Sequence, residues 1–299
     1  MKQLAVISGK GGTGKTTLAA AFAQLAHPAV LADCDVDASN LPLLLEPIGE
    51  TTSEPYVGGF YAEVDVDLCE KCGQCKAACR FDAIDYDPSA PDIPVIDFYA
   101  CEGCGLCVDL CPVNAIRLVD RVAGTLYVSR MRYGPMIHAE LGIAEGTSGK
   151  LVSVVRNRAR ELAEKEGLEL IIIDGSPGIG CPVIASVTGT DALVIVTEPS
   201  VSGLHDLERV AELANHFGIP ALVVVNKWDL NEEMAGQIED TAKAIGVDIA
   251  GRIPFDRAFV DAMVNAKTIL EYSEGRAAES VTELWLKIRE LAGVESHST

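Results

Sequence analysis

Residues 9–16 read Gly-Lys-Gly-Gly-Thr-Gly-Lys-Thr, and no other stretch of the chain narrows its fold as far. Four glycines in eight positions free the backbone to turn its N–H groups inward around an anion. Before them, Leu4-Ala5-Val6-Ile7 is an apolar run suited to a buried strand; after them, Thr16 to Ala26 carries a helical pattern. Strand, glycine loop and helix in this order form the phosphate-binding pattern G-x-x-x-x-G-K-[ST], and the helix N-terminus adds a positive pole. Gly9, Lys10, Gly11, Gly12, Thr13, Gly14, Lys15, Thr16 and Thr17 are therefore expected to surround nucleotide phosphates. Lys15 would reach the β- and γ-phosphates, and the Thr16 hydroxyl would ligate Mg²⁺.

The rest of the chain extends this start. Ala29–Leu31, Leu170–Ile173, Ala192–Val196 and Ala221–Val225 are further short apolar runs, and helical patterns cover Lys150–Glu166 and Leu204–Phe217. Strands alternating with helices predict an α/β fold, a mostly parallel sheet flanked by helices and buried on both faces. The last helical pattern, about Ala277 to Leu291, puts Val281, Leu284, Ile288 and Leu291 on one face among charges of both signs, which predicts docking on the core rather than on a membrane.

Cysteine usage breaks the α/β pattern. Eight of ten cysteines lie between positions 69 and 111, in two copies of one unit offset by 32 residues. Asp65, Cys69, Glu70, Cys72, Gly73, Cys75, Cys79, Ala83 and Ile84 map onto Asp97, Cys101, Glu102, Cys104, Gly105, Cys107, Cys111, Ala115 and Ile116. Pro88, Pro91 and Pro94 lie between the copies. Each copy is the run C-x-x-C-x-x-C-x-x-x-C, in which the fourth cysteine serves the other cluster. One [4Fe-4S] cluster is thus expected on Cys69, Cys72, Cys75 and Cys111, and a second on Cys101, Cys104, Cys107 and Cys79. Four thiolates would also suit zinc, but eight in this double spacing favour clusters. About residues 60 to 120 resemble two-cluster bacterial ferredoxins, with one departure: Arg80 stands where the second copy has Pro112. The expected division is a small α+β ferredoxin-like insert at 58–120 within a nucleotide-binding domain of 1–57 and 121–299. So small an insert has little core, and its clusters are expected to hold it together.

Charge and hydropathy exclude other classes. The chain carries 24 basic and 44 acidic side chains, a formal −20, and residues 58–120 alone hold 12 acidic and 4 basic ones. Phosphate-backbone binding needs basic patches, so nucleic acid is a poor partner, whereas a basic redox or assembly protein fits. No run is long and apolar enough for a membrane span, the first residues lead directly into a strand, and the thiols suit a reducing compartment; the expectation is cytoplasmic.

With Lys10 ahead of Lys15, the loop resembles that of the MinD/ParA/Mrp branch of P-loop ATPases, which reads K-G-G-x-G-K-[ST]. The resemblance implies a homodimer formed on ATP binding, in which Lys10 reaches the partner's phosphates. Asp33-Cys34-Asp35 with Asn40 resembles that family's first switch, making Asp35 the carboxylate that positions the attacking water. Ile171-Ile172-Ile173-Asp174-Gly175-Ser176-Pro177-Gly178 resembles the second, with Asp174 ending a buried strand and holding the Mg²⁺ shell. Asn226 matches the residue that holds adenine, and Pro254 and Asp256 fall in the segment that closes the base pocket. Asn226-Lys227-Trp228-Asp229 also spells N-K-x-D, the pattern that reads guanine; ATP is the favoured nucleotide, with Asp229 a coincidental loop acid.

About 235 residues share this resemblance, and the whole chain looks like the MinD-superfamily ATPases with an inserted ferredoxin domain. The resemblance implies three outputs: ATP-driven electron transfer as in the nitrogenase iron protein, assembly or insertion of Fe-S or other metal cofactors, and MinD-like spatial organisation. The last is weakest, because no membrane or DNA handle is visible. Cys34 reads first as a buried, inert cysteine. Cys181 follows the second switch, where the nitrogenase iron protein places a cluster ligand, so the resemblance raises, against the plain reading of an idle surface thiol, a transient third metal site between two Cys181 side chains of a dimer, with Cys34 assisting. Tyr127, Tyr133 and His138 read as an aromatic patch bracing the insert.

Overall fold

The computed structural model describes residues 1–87, 89–142, 146 and 149–294, so Pro88 of the proline-rich joint lies outside the described residues. The chain divides into two compact units. The first comprises Met1–Glu54, Leu126–Glu140 and Thr147–Thr299, and the second Pro55–Thr125 with Leu141–Gly146. The second unit takes in the expected 58–120 stretch with short flanks, because β3 (Pro47–Val64) and β6 (Ile116–Met131) are continuous strands. No turn at Gly58-Gly59 or Asp120 marks a boundary.

The chain begins with β1 (Lys2–Ser8), α1 (Lys15–Ala26), β2 (Val30–Asp33) and α2 (Leu41–Leu45), then enters β3. After β6 come β7 (Gly134–Leu141), α5 (Gly149–Glu166), β8 (Leu170–Pro177), α6 (Cys181–Val187), β9 (Ala192–Thr197) and α7 (Val201–Phe217). It closes with β10 (Ala221–Asn226), a 3-10 turn (Trp228–Leu230), α8 (Glu232–Ala244), β11 (Asp248–Ile253), α9 (Ala258–Val264), α10 (Ile269–Tyr272) and α11 (Arg276–Ala292).

The sheet runs β11-β10-β9-β1-β8-β2-β7-β6-β3. Every pairing from β11 across to β7 is parallel, so the C-terminal ends of β1, β2, β8, β9, β10 and β11 share one edge, where ligands of such sheets bind. Alternate strand residues serve opposite faces. Leu4 and Val6, Leu170 and Ile172, Val194 and Val196, Leu222 and Val224 meet α1 and α11 in one core, while α5, α6 and α7 cover the other face. On α11, Val281, Leu284, Trp285 and Ile288 are buried, as its amphipathic pattern predicts. Among the described residues no helix is long and apolar enough to cross a membrane.

Sequence patterning does not reveal β3, β6 and β7: β3 and β6, at the sheet margin, mix polar with apolar residues and bury only some of them, and β7, buried from Pro135 to Ala139, carries Pro135 and His138 within its run. Tyr127 and His138 stack with ring centroids 4.9 Å apart, and Tyr133 packs edge-on to His27 at 6.3 Å. All four side chains belong to the first unit, where alternation along β6 and β7 turns Tyr127 and His138 toward each other.

The second unit pairs β4 (Ile84–Asp87) with β5 (Ala90–Ile96), antiparallel, and adds two short helices, α3 (Gln74–Ala78) and α4 (Leu106–Asp109). The 32-residue repeat is visible in its backbone. Left-handed residues recur at Lys71 and Gly103, Gly73 and Gly105, Asp82 and Asn114. Each copy donates to the other: Asp65 N–H to the Ala115 carbonyl at 2.7 Å, and Asp97 N–H to the Ala83 carbonyl at 2.8 Å. A small buried apolar cluster of the unit is Ala62, Ala83, Cys101 and Ile116.

Phe22 of α1 is fully buried and stacks on Trp285 of α11 with centroids 5.5 Å apart. Phe22→Ala is expected to cost about 3–5 kcal/mol, through lost transfer energy and the cavity left behind. Chemical denaturation followed by tryptophan fluorescence checks this, and a loss under about 1 kcal/mol would contradict the packing described.

Candidate functional site

The loop between β1 and α1 lies at the C-terminal edge of the parallel strands. Gly14, in the left-handed region at φ 95, is the N-cap of α1, and a Cβ there would stand 2.5 Å from Asn226 Nδ2. That closeness is used: Asn226 Nδ2 donates to the Thr13 carbonyl at 2.7 Å. At Gly11 and Gly12 an added Cβ would meet nothing, so the loop has an open side, as a phosphate cradle requires.

Lys15 opens α1 and is 5% exposed. Its ammonium donates to Asp174 Oδ1 at 2.7 Å and to Asp35 Oδ2 at 3.3 Å. Burial works to lower its pKa, but Asp174 and Asp35 outweigh that and hold it above its ordinary value. Burial also pushes the Asp35 carboxyl up, against the pull of Lys15. Asp174 does not end its strand; β8 runs on to Pro177, because Gly175 and Ser176 stay extended. Asp174 Oδ2 is buried and has no hydrogen-bond partner among the described residues. An unmatched carboxylate oxygen beside a phosphate loop fits Mg²⁺ with its bound waters.

Asp33, the register partner of Asp174 across β2 and β8, shapes the loop that presents Asp35. It accepts from Asp35 N–H at 3.1 Å, Ser39 Oγ at 2.8 Å and Leu41 N–H at 3.3 Å. Burial, then the charge of Asp174, push Asp33 up to about 7. Sequence reasoning assigned it no separate role, although the D-x-D pattern contains it.

Lys10 is held within its own chain. Its ammonium pairs with Glu198 at 2.6 Å and donates to Ser202 Oγ at 2.9 Å and Ser200 Oγ at 3.2 Å. Glu198 also accepts from Lys227 Nζ at 3.1 Å, and these hydrogen bonds hold its carboxyl below the ordinary range despite burial. Nothing in the sequence singles out Glu198, which follows β9. The expected base-side residues do meet: Asn226 and Ile253 are register partners, with Pro254 and Asp256 immediately beyond. Asp256 accepts from Ala258 N–H at 2.8 Å, starting α9. Thr16 is half-buried, and buried Thr17 donates to Met263 Sδ at 3.5 Å.

In the second unit the cysteines sort into two cavities. One is lined by Cys69, Cys72, Cys75 and Cys111, the other by Cys79, Cys101, Cys104 and Cys107. Backbone N–H groups point at three sulfurs: Ala115 at Cys111 at 3.2 Å, Lys71 at Cys69 and Ala62 at Cys101, both at 3.4 Å. Gly103, at φ 61, is required where the chain passes Phe60, since a Cβ would stand 2.2 Å from its carbonyl oxygen. Among the described residues no three His, Cys, Asp or Glu side chains converge as for a single metal ion; the thiols ring cavities instead.

The two remaining cysteines part company. Cys34 is fully buried, its N–H donating to the Asp174 carbonyl at 2.8 Å, and burial together with Asp33 pushes its thiol up. Cys181 is exposed at the start of α6. The expected assistance of Cys34 at a surface metal site is corrected on that ground: its thiol is sealed inside the first unit.

Comparison with known proteins agrees with this geometry. The profile of the CobQ/CobB/MinD/ParA nucleotide binding domain matches residues 4–269. An uncharacterized protein of Methanocaldococcus jannaschii is 36% identical over 291 residues, 96% of either chain. An iron-sulfur cluster carrier protein of Pyrococcus abyssi is 25% identical over 315 residues, covering 98% of this chain and 88% of its own. Among solved structures, the septum site-determining protein MinD of Pyrococcus horikoshii, complexed with Mg-ADP, superposes with a TM-score of 0.58 at 18% identity, covering 99% of both chains.

A raised carboxyl pKa stabilises the fold below the unfolded value of about 3.9 and loses that contribution as pH rises through the folded value. For Asp33 that loss runs from about 3.9 to about 7 and is complete above it. Without added nucleotide, the first unit should therefore lose denaturant resistance between about pH 4 and about pH 7, and Asp33→Asn should lose less. Tryptophan fluorescence reads this unit alone, because Trp228 and Trp285 both lie in it. Equal slopes for the two proteins would contradict the assignment.

Proposed function

The chain belongs to the CobQ/CobB/MinD/ParA nucleotide-binding family, and we propose that it is an ATP-hydrolysing, iron-sulfur switch protein that couples nucleotide turnover to electron transfer. The observation that carries this reading is the sorting of eight cysteines into two cavities of four, in a chain that also holds a phosphate loop. Each cavity takes three thiols from one copy of the repeat and one from the other, which is the ligand exchange of two-cluster ferredoxins. A cluster with iron at four corners draws on thiolates spread around it, so ringed cavities support clusters over single zinc ions. Bound there, [4Fe-4S] clusters supply one-electron redox chemistry.

The nucleotide site is assigned as follows. Gly9 to Thr17 cradle the phosphates, and Lys15 exchanges Asp174 and Asp35 for phosphate oxygens. Thr16 and Asp174 would hold Mg²⁺, which neutralises phosphate charge. Asp35, released from Lys15, orients the attacking water. Lys10 leaves Glu198 to reach the phosphates of a second copy, so ATP brings two chains together as a homodimer. Asn226, Pro254 and Asp256 face the base, and adenine is the base expected.

A second reading is Fe-S or metal-cofactor assembly, which the similarity to iron-sulfur cluster carrier proteins and the exposed Cys181 favour. Anaerobic purification with iron and sulfide assay, followed by MgATP and MgGTP hydrolysis in oxidised and dithionite-reduced protein, separates the two. Electron transfer predicts about eight irons per chain, ATP as the nucleotide turned over, and a rate that changes with redox state. Identical rates in both redox states would favour assembly, and iron near zero would remove both cluster readings. Lys15→Ala should lower hydrolysis by at least about a hundredfold while retaining iron.

A further inference from the structure

The tetrad Asn226-Lys227-Trp228-Asp229 enters the proposed function only through Asn226, yet the structure gives work to three of its members. Lys227 stands at φ 56, a conformation uncommon for a residue with a Cβ, which persists where the surroundings require it. In that conformation its ammonium donates to the Gly12 carbonyl at 3.0 Å and to Glu198 Oε2 at 3.1 Å. Asn226 holds the next carbonyl of the loop, that of Thr13. Two consecutive peptides of the phosphate loop are thus pinned by two consecutive residues, the last of β10 and the one after it. Their carbonyls are turned toward β10, and that orientation sets the direction of the N–H groups left for phosphate.

Asp229 acts on the other side of the pocket. Its Oδ1 accepts the Phe255 N–H at 2.6 Å, which ties the 3-10 turn after β10 to the segment Ile253-Pro254-Phe255-Asp256 after β11. A carboxylate that reads a guanine edge offers both oxygens to two neighbouring N–H donors. Here one oxygen already serves the backbone.

We propose that Lys227 and Asp229 are positioning residues for the nucleotide: Lys227 sets the phosphate loop through Gly12, and Asp229 sets the base-side segment through Phe255 rather than reading guanine. This rests on the nucleotide-binding reading of the same site. Lys227 holds the loop without touching the transferred phosphate, so its loss should act on binding of ADP and ATP alike and leave turnover at saturation little changed. Asp229 needs only an acceptor oxygen, which an asparagine also carries.

The test is calorimetric titration of the anaerobic, cluster-loaded protein with MgADP, MgATP and MgGTP, together with steady-state kinetics. Lys227→Met should weaken MgADP and MgATP binding about tenfold and raise KM with kcat within about twofold. Lys227→Arg, which keeps a donor, should recover most of the affinity. Asp229→Asn should stay within about twofold of wild type with the same preference for ATP over GTP, and Asp229→Ala should weaken both. Unchanged affinity in Lys227→Met, or a wild-type preference for GTP that Asp229→Asn abolishes, would overturn the assignment. Wild type that binds none of the three nucleotides would sink the nucleotide reading itself, an outcome distinct from wild type that binds while its variants do not differ from it.

Discussion

A buried ammonium is costly unless opposite charges meet it, and the Lys15 side chain meets two, on Asp174 and Asp35. This one contact joins the first residue of α1 to the middle of β8 and to the loop after β2, segments separated by up to 159 residues in sequence. It also settles why the three carboxylates of the site tolerate one another. Asp33 and Asp174 are fully buried register partners, and the cation between the strands offsets part of their repulsion. A phosphate entering the loop competes for the same ammonium, so binding at the loop must alter the forces on both acidic segments. Glu198 stands in a similar position, shared by Lys10 and Lys227. Two shared ionic partnerships, one on each side of the loop, make the site responsive to a charged ligand.

The second unit depends on a different constraint. Its small apolar cluster includes one of the eight cysteines, and the thiols ring two cavities. Burial pushes the Cys75 and Cys107 thiols up, so binding iron there would release protons as well as supply cohesion. Each cavity takes one thiol from the other copy, so neither half lines a cavity with four thiols alone, and the paired backbone bonds from Asp65 and Asp97 join the halves.

Much of this architecture is legible in the sequence. The five apolar runs become the core parallel strands, because strands buried on both faces must be apolar throughout. The glycine loop, Lys15, Asp35 and Asp174 are found together, and the cysteine spacing anticipates the two cavities. The strands β3, β6 and β7 are not legible: the pattern of β3 and β6 follows partial burial at the sheet margin, and Pro135 and His138 interrupt the buried run of β7. Glu198 and Asp33 act through contacts between distant segments, which no local pattern encodes. Lys227 and Asp229 are visible as a motif, but the motif alone suggests guanine, and only the hydrogen bonds to Gly12 and Phe255 show what the side chains hold. Cys34 admits two readings in the sequence, an inert interior thiol or an aid to a metal site, and its full burial leaves the first.

Coupling between nucleotide and clusters is the central claim, and linkage requires it to act in both directions. Its most direct measurement is the midpoint potential of the clusters, from an EPR-monitored redox titration with and without MgATP, in wild type and in Lys15→Ala. The account predicts a potential that moves by tens of millivolts on adding MgATP, of the order of 1–3 kcal/mol of coupling, and no movement in the variant. Potentials identical with and without MgATP in a wild type that binds the nucleotide would contradict it.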